Sequence, residues 1–321
     1  MSAGRQRGVA LITALLVVAI ATVAAVSMAS RQQLEVRRTA SLLHGEQAWA
    51  YVLGAEEWAK VVLRRDAQES QVDTLSEDWA TRPPVSTVEG GAVFGRIIDL
   101  QGRFNLNNLV LQNGKMDPEA VAYYKRLLRN LDLDERLADA VVDWIDANID
   151  VTFPDGAEDE TYLSLDPPYR TANRPMQDAS ELRLVKGYTG EVVDKLLAHV
   201  VALPVRTPIN VNTADSTVLS AIGESLSVSD GEKLLETRGE DGYATVDSFR
   251  QNISGQQLDA AALSVTSDWF LLLSEADIGE GRARLASRLQ RDRGTVRVVG
   301  RQREFFDPVV PVVEQDTAQG S

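Results

Sequence analysis

VALITALLVVAIATVAAVSMA, residues Val9 to Ala29, carries no charged side chain in twenty-one positions and only Thr13, Thr22 and Ser27 as polar members. At about 1.5 Å per helical residue the run covers about 30 Å, the thickness of a hydrocarbon core, and a helix satisfies its own backbone in lipid. It reads as a membrane span. The short flank, Met1 to Gly8, carries Arg5 and Arg7, which predicts a cytoplasmic amino terminus with the bulk of the chain on the far side. A cleaved secretory signal shares the basic start and apolar core. Its core is usually only about 7–15 residues long, however, and here the polar sequence after Ala29 runs on without Gly or Pro to His44. The apolar run is therefore expected to be the first half of one long helix.

The junction Arg5-Gln6-Arg7-Gly8 before Val9-Ala10-Leu11-Ile12-Thr13 resembles the class III leader of type IV pilins and pseudopilins. The resemblance implies a prepilin peptidase that cuts after Gly8 and N-methylates Val9 as the mature amino terminus. Most members carry Glu at the fifth mature position, where a carboxylate in lipid is costly unless it meets the amine of the subunit above. Thr13 stands there instead. A subunit with no neighbour above has no amine to pair with, so Thr13 suits a position at the fibre tip. A missing Glu combined with a very large exported part resembles the minor pseudopilin K family of type II secretion. A simple single-pass anchor with a chance Gly-apolar junction is the plainer alternative.

Net charge −14 and a pI near 4.7 argue against nucleic acid, whose phosphates demand a basic face, and suit cations. The chain has no cysteine, so it uses neither disulfides nor Cys-ligated metal, which is compatible with a periplasmic home. With 44% hydrophobic and 6% aromatic residues, the exported part can bury one large core or two modest ones.

Beyond the span, Ser41, Gly45, Ala48, Val52, Ala55, Ala59 and Val62 recur at spacings of 4 and 3, a stripe that continues the helix to Arg65 and faces a sheet. Pro83-Pro84 marks a loop. Gly91 to Leu100 has strand composition, and strand signals return only in Ser267–Glu275, Gly281–Arg291 and Thr295–Phe305, divided by the hairpin signals Gly279-Glu280-Gly281 and Asp292-Arg293-Gly294. Between them the sequence predicts helices. Asp117-Pro118 opens the first, and others are expected over 134–146, 180–184, 191–203, 214–222, 229–238 and 256–263. The expected fold is α+β, with a pilin-like long N-terminal helix packed on an antiparallel sheet of four strands and a large inserted all-α domain. The implied divisions are a leader at 1–8, the helix at 9–65, an α/β part at 66–105 and 264–306, the insert at 106–263, and a fraying tail at 307–321.

Two echoes sit in the insert, Arg103-Phe-Asn-Leu-Asn-Asn-Leu109 and Pro208-Ile-Asn-Val-Asn-Thr-Ala214, each placing Asn where its side chain can cap or bridge a turn. The second runs on into a stretch that resembles the helix-hairpin-helix module (a SAM-like fold) that binds DNA backbones. A membrane-anchored DNA receptor is thus a rival function. Against it, the hairpin reads Ile222-Gly223-Glu224-Ser225 without paired glycines, and Val205 to Ala260 holds four Lys or Arg against nine Asp or Glu.

The densest chemistry lies between the echoes, from Asp150 to Glu181, a segment with little periodicity and longer than loops usually are unless they work or stay disordered. Its close carboxylates Asp155, Glu158, Asp159 and Glu160 repel unless solvated or neutralised, and a hard cation such as Ca²⁺ takes six to eight oxygen ligands in loose geometry. A solvated acidic loop remains the alternative. The run Asp-Gly-Ala-Glu-Asp, with the later Pro-Pro-Tyr-Arg, Ala-Asn and Ser-Glu-Leu-Arg, resembles the calcium loop of the pseudopilin K family. The resemblance implies Asp155, Glu158, Asp159 and Asn173 as ligands, and Asp178 joins them by proximity. No catalytic constellation is present: His44 and His199 sit on helical faces as structural histidines do, and no Gly-x-Ser-x-Gly, Walker loop or His-Glu-x-x-His occurs.

The resulting expectation is a non-enzymatic subunit that caps the type II secretion pseudopilus and helps initiate its assembly for export of folded periplasmic proteins. It is single-pass in the inner membrane, with its C-terminal part periplasmic. The expected partners are the I-, J- and H-type minor pseudopilins, the major pseudopilin, the prepilin peptidase and secreted substrates, with no nucleic acid. A minor pilin of a type IV pilus is the runner-up.

Overall fold

The computed structural model describes residues 6–81, 85–253 and 262–303. Leader residues Met1 to Arg5, the Pro83-Pro84 loop, most of the helix expected over 256–263 and the tail from Asp307 lie outside them. The architecture is α+β. A helix, α1 (Gln6–Glu69), is followed by β1 (Ser86–Val88), β2 (Gly91–Asp99) and, late in the chain, β7 (Trp269–Ile278), β8 (Gly281–Asp292) and β9 (Thr295–Arg303). These form one five-stranded sheet in the order β1-β2-β7-β8-β9. The β1–β2 and β8–β9 pairs are antiparallel. The sheet therefore has one strand more than expected: Ser86–Val88 folds back on Gly91–Val93 across Glu89-Gly90, too short a segment to show a strand period.

Two compact units divide the chain: Met1–Ala55, Pro84–Phe94 and Ser274–Arg284 form one, and Glu56–Pro83, Gly95–Leu273 and Leu285–Ser321 the other. In the first, Ala48 and Val52 are the fully buried apolar side chains of the helix. The hairpin Gly279-Glu280-Gly281 lies against His44. A Cβ on Gly281 would stand 2.5 Å from the His44 carbonyl carbon, so only glycine lets the two backbones approach.

In the second unit, Ala59 and Leu63 of α1 share a core with Trp79, Ile97, Phe270, Leu272 and Leu289, and the Trp79 and Phe270 rings meet edge to face at 5.3 Å. The buried line of α1 corrects the expected stripe. It includes Glu56 in place of Ala55, because that carboxylate is buried where the Ser287 hydroxyl and the Arg301 guanidinium satisfy it at 2.7 and 2.8 Å. Ser41 is exposed.

The segment between β2 and β7 builds a second, larger core in the same unit. It contains α2 (Pro118–Asn130), α3 (Leu137–Ile145), α4 (Asp159–Leu163), α5 (Gly190–Leu196), α6 (Ser216–Ser220), α7 (Val228–Arg238) and α8 (Val246–Arg250). Asp117 caps α2 as expected, accepting from the Glu119 and Ala120 amides ahead of Pro118. An all-α insert is nevertheless corrected. The echoes are strand-forming: β3 (Phe104–Asn105) pairs in parallel with β4 (Val200–Val201), and β5 (Ile209–Asn210) with β6 (Leu263–Ser264). The helix expected to reach Leu203 consequently stops at Leu196. The two echoes work alike. Asn105 accepts from the Asn107 amide and Asn210 from the Asn212 amide. Asn107 then grips Met176 N and O, and Asn212 grips Tyr243 N and O.

Candidate functional site

The acidic loop hangs from α3. Asp139, Asp143 and Asp146 recur at spacings of 4 and 3 on an otherwise apolar stretch, which puts three carboxylates on one face, and all three are buried. Asp143 accepts from the Thr152 amide at 3.1 Å and from the Ala157 amide at 2.7 Å, drawing both ends of the following turn onto one carboxylate. Gly156 makes that approach possible, since a Cβ there would lie 2.2 Å from Asp143 Oδ2. Lys186 Nζ adds a bond to Gly156 O at 3.1 Å. Tyr162, fully buried, meets the Trp144 ring edge to face at 5.3 Å and stacks on Tyr169 at the same distance.

The five expected metal ligands take different roles in this frame. Glu158 precedes α4, is only 5% exposed, and both of its carboxylate oxygens are buried without a hydrogen-bond partner. Thr171 Oγ1 and Asn173 Oδ1 are orphaned in the same way, and Asn173 sits in the left-handed region at φ 47°. Asp155 is half-buried. Asp159 is engaged by Arg170 Nη1 at 2.5 Å and by the Thr171 amide at 3.1 Å. Asp178 serves as a helix cap: it accepts from the Ser180 amide, closes a capping box with Glu181 and faces Arg288 at 3.7 Å.

Electrostatics concentrate on Glu158. Burial pushes its carboxyl up to about 7 against the neighbouring Thr171 hydroxyl, which acts to lower it, and the charges of Asp143, Asp146 and Asp159 add to the rise. Burial and neighbouring Asp143 push Asp146 up to about 6, and burial raises Asp143 as well. Orphaned buried oxygens and carboxyls that resist ionisation fit a hard, oxygen-seeking dication. The donor set has no sulfur or imidazole, which suits Ca²⁺. Asp143, Asp146 and Thr171 escaped the sequence reading. The first two were signalled by the acidic face of α3, while nothing marks Thr171 in the sequence.

Among the described residues, the carboxylates whose oxygens lie within 4.8 Å of one another as a triple are Asp66, Asp73 and Glu77; Asp155, Glu158 and Asp159 of the acidic loop are not brought together in that way. The charges of the triple are met by the chain itself. Arg291 bridges Asp66 at 2.9 Å and Asp73 at 2.6 Å, while Glu77 accepts from the Thr74 amide and the Trp79 indole.

At the other end of the chain, Gly8 and Val9 lie within α1, whose span from Val9 is long and apolar enough to cross a membrane, with a mean hydropathy of 2.8. Thr13 Oγ1 donates to the carbonyls of Val9 and Ala10, both at 3.0 Å, so its polar group is satisfied inside the helix. Arg126 of α2 and Arg238 of α7 donate inward to the carbonyls of Ala221 and Ala214 in the stretch that resembles a helix-hairpin-helix. His199 pairs with Asp215 at 2.7 Å.

Comparison with known proteins adds three findings. Two family models, both described as type II secretion system (T2SS), protein K, match residues 102–205 and 209–267, which begin close to the two Asn echoes. A type II secretion system protein K of Pseudomonas aeruginosa is 41% identical over 92% of each chain, and that of Klebsiella pneumoniae 36% identical over 93% of this chain and 96% of its own. In the crystal structure of the GspK-GspI-GspJ complex from enterotoxigenic Escherichia coli, one chain superposes with a TM-score of 0.75 at 28% identity, covering 84% of this chain and all of that one.

Proposed function

Because this chain belongs to the type II secretion system protein K family, a family of structural minor pseudopilins, we propose that it caps the tip of the pseudopilus and helps initiate its assembly. Thr13 carries the reading. Its hydroxyl closes on the helix's own carbonyls, so the subunit needs no amine above it in the bilayer, whereas a Glu there would be costly without one. The related complex joins a GspK with GspI and GspJ, which supports I- and J-type minor pseudopilins as neighbours of this chain; the H-type and major pseudopilins are proposed as further partners. Family membership favours type II secretion over the type IV pilus alternative. The proposed setting is the inner membrane, with the amino terminus cytoplasmic, the rest periplasmic, and the leader removed by prepilin peptidase between Gly8 and Val9. Labelling of assembled fibres tests the position: label confined to one end is expected, and label distributed along the fibre overturns the tip reading. Gly8→Ala is expected to block processing, as a mass spectrum of the membrane form would show.

The same reading assigns Ca²⁺ to the acidic loop. Glu158, Thr171 and Asn173 would hold it through their orphaned oxygens, with Asp155 and Asp159 from the same loop. The ion supplies positive charge that offsets carboxylates already buried by the fold.

A further inference from the structure

Between α3 and α4 the chain exposes three large apolar side chains at alternate positions: Ile149 is 76% exposed, Val151 57% and Phe153 91%. Exposed single apolar residues are ordinary, but three on five consecutive residues make a patch that calls for an explanation. The backbone beneath them is held firmly. The Thr152 amide is bound by Asp143, the Gly156 amide by Thr152 O, the Asn148 amide by Asp146 and the Asp150 amide by the Asn148 side chain. The ordering entropy of this loop is thus met by folding itself, which is the condition under which an exposed aromatic becomes a binding anchor.

Charge identifies what fits it. Of the nine acidic residues between Arg136 and Arg170, Asp139 pairs with Lys125, Asp159 pairs with Arg170, and Asp143, Asp146 and Glu158 are buried, so the exposed carboxylates in the stretch that holds the apolar side chains are Asp150, Glu160 and Asp166. A second copy of this chain would bring like charge against like, and an anionic lipid surface would be repelled for the same reason. We propose that Ile149, Val151 and Phe153 form a docking finger for a protein partner that presents an apolar pocket rimmed by Lys and Arg. Phe153 enters the pocket, and the acidic surround sets orientation and on-rate.

The test selects a random peptide library against the full-length protein in detergent and compares the wild type with Phe153→Ser and Asp150→Asn. Selected peptides are expected to combine aliphatic or aromatic residues with Lys or Arg. Their binding should fall at least tenfold on Phe153→Ser, fall less on Asp150→Asn, and weaken as salt rises. Because all three side chains face solvent, Phe153→Ser should melt with the wild type, which separates lost binding from lost folding. Selected peptides that are acidic, or that bind Phe153→Ser as tightly as the wild type, overturn the proposal. So does self-association or binding to neutral phosphatidylcholine vesicles that depends on Phe153, since the occupant would then be a second copy or a membrane.

Discussion

Glu158 sets the behaviour of the acidic loop. Its ordinary carboxyl value of 4.5 in the unfolded chain rises to about 7 in the folded one, so between those values the native state holds the extra proton. Stability of the metal-free protein should therefore fall as pH rises through that window, the opposite of an ordinary salt-bridged carboxylate. A bound dication and the proton compete for the same oxygens. Added Ca²⁺ is accordingly expected to raise the melting temperature of the folded part beyond the apolar helix clearly at pH 7.5 and little at pH 5; an equal response at both, or none in protein first stripped with chelator, removes the metal from the loop. Glu158→Gln should leave the calcium-free protein at least as stable near neutral pH, since it removes a charge the fold resists, while abolishing most of the calcium response. A variant that melts far below the wild type without calcium would instead make Glu158 a packing residue.

At the scale of elements, α1 and the last hairpin each depend on a few residues that admit little substitution. On β8, Arg291 lies over the Phe270 ring at 4.9 Å and bridges Asp66 and Asp73 from a largely buried position. Arg291→Ala would strand two carboxylates beside Glu77 and should cost about 3–5 kcal/mol, measurable by denaturant unfolding; a loss near zero would mean water replaces the guanidinium freely. Gly281→Val should cost about 1–3 kcal/mol, because any side chain there meets the His44 backbone, whereas Gly300→Ala, whose Cβ would stand 3.9 Å from Arg288 Cβ in ordinary contact, should cost less. Equal losses at the two glycines would show that the hairpin gives way instead of resisting. β9 pairs with β8 through a register shift at Arg288/Leu289, an irregularity of the kind that blunts an edge strand.

At the scale of the whole molecule, the chain is a type II secretion minor pseudopilin whose apolar N-terminal helix fits a single-pass membrane anchor. The portion from Arg31 onward, free of the span, is expected to co-purify with the soluble parts of I- and J-type minor pseudopilins, and size-exclusion chromatography of the mixture tests it. Thr13→Glu should weaken pseudopilus assembly, since at the tip the carboxylate meets no amine from a subunit above and its cost in lipid is not offset; fibre counts by electron microscopy would show the loss. Loss of the whole protein should change the number or length of fibres seen by electron microscopy.

The sequence alone determined the features that depend on short spacings or on raw composition. The span from Val9 to Ala29 follows from apolar length, the Asp117-Pro118 helix start from local capping chemistry, the closing hairpins from glycine placement, and the acidic loop from its density of carboxylates. What only the tertiary structure decided depends on partners distant in the chain. Glu56 is buried because Ser287 and Arg301, more than 230 residues later, satisfy it. Two-residue strands at Phe104 and Ile209 exist because Val200 and Leu263 return beside them. Asp178 became a cap once Ser180 turned toward it, and Glu158 stands apart from its acidic neighbours because folding buried its oxygens while Arg170 engaged Asp159. A carboxylate in a sequence carries the same charge wherever it stands, and its surroundings decide whether that charge is solvated, paired or left for an ion.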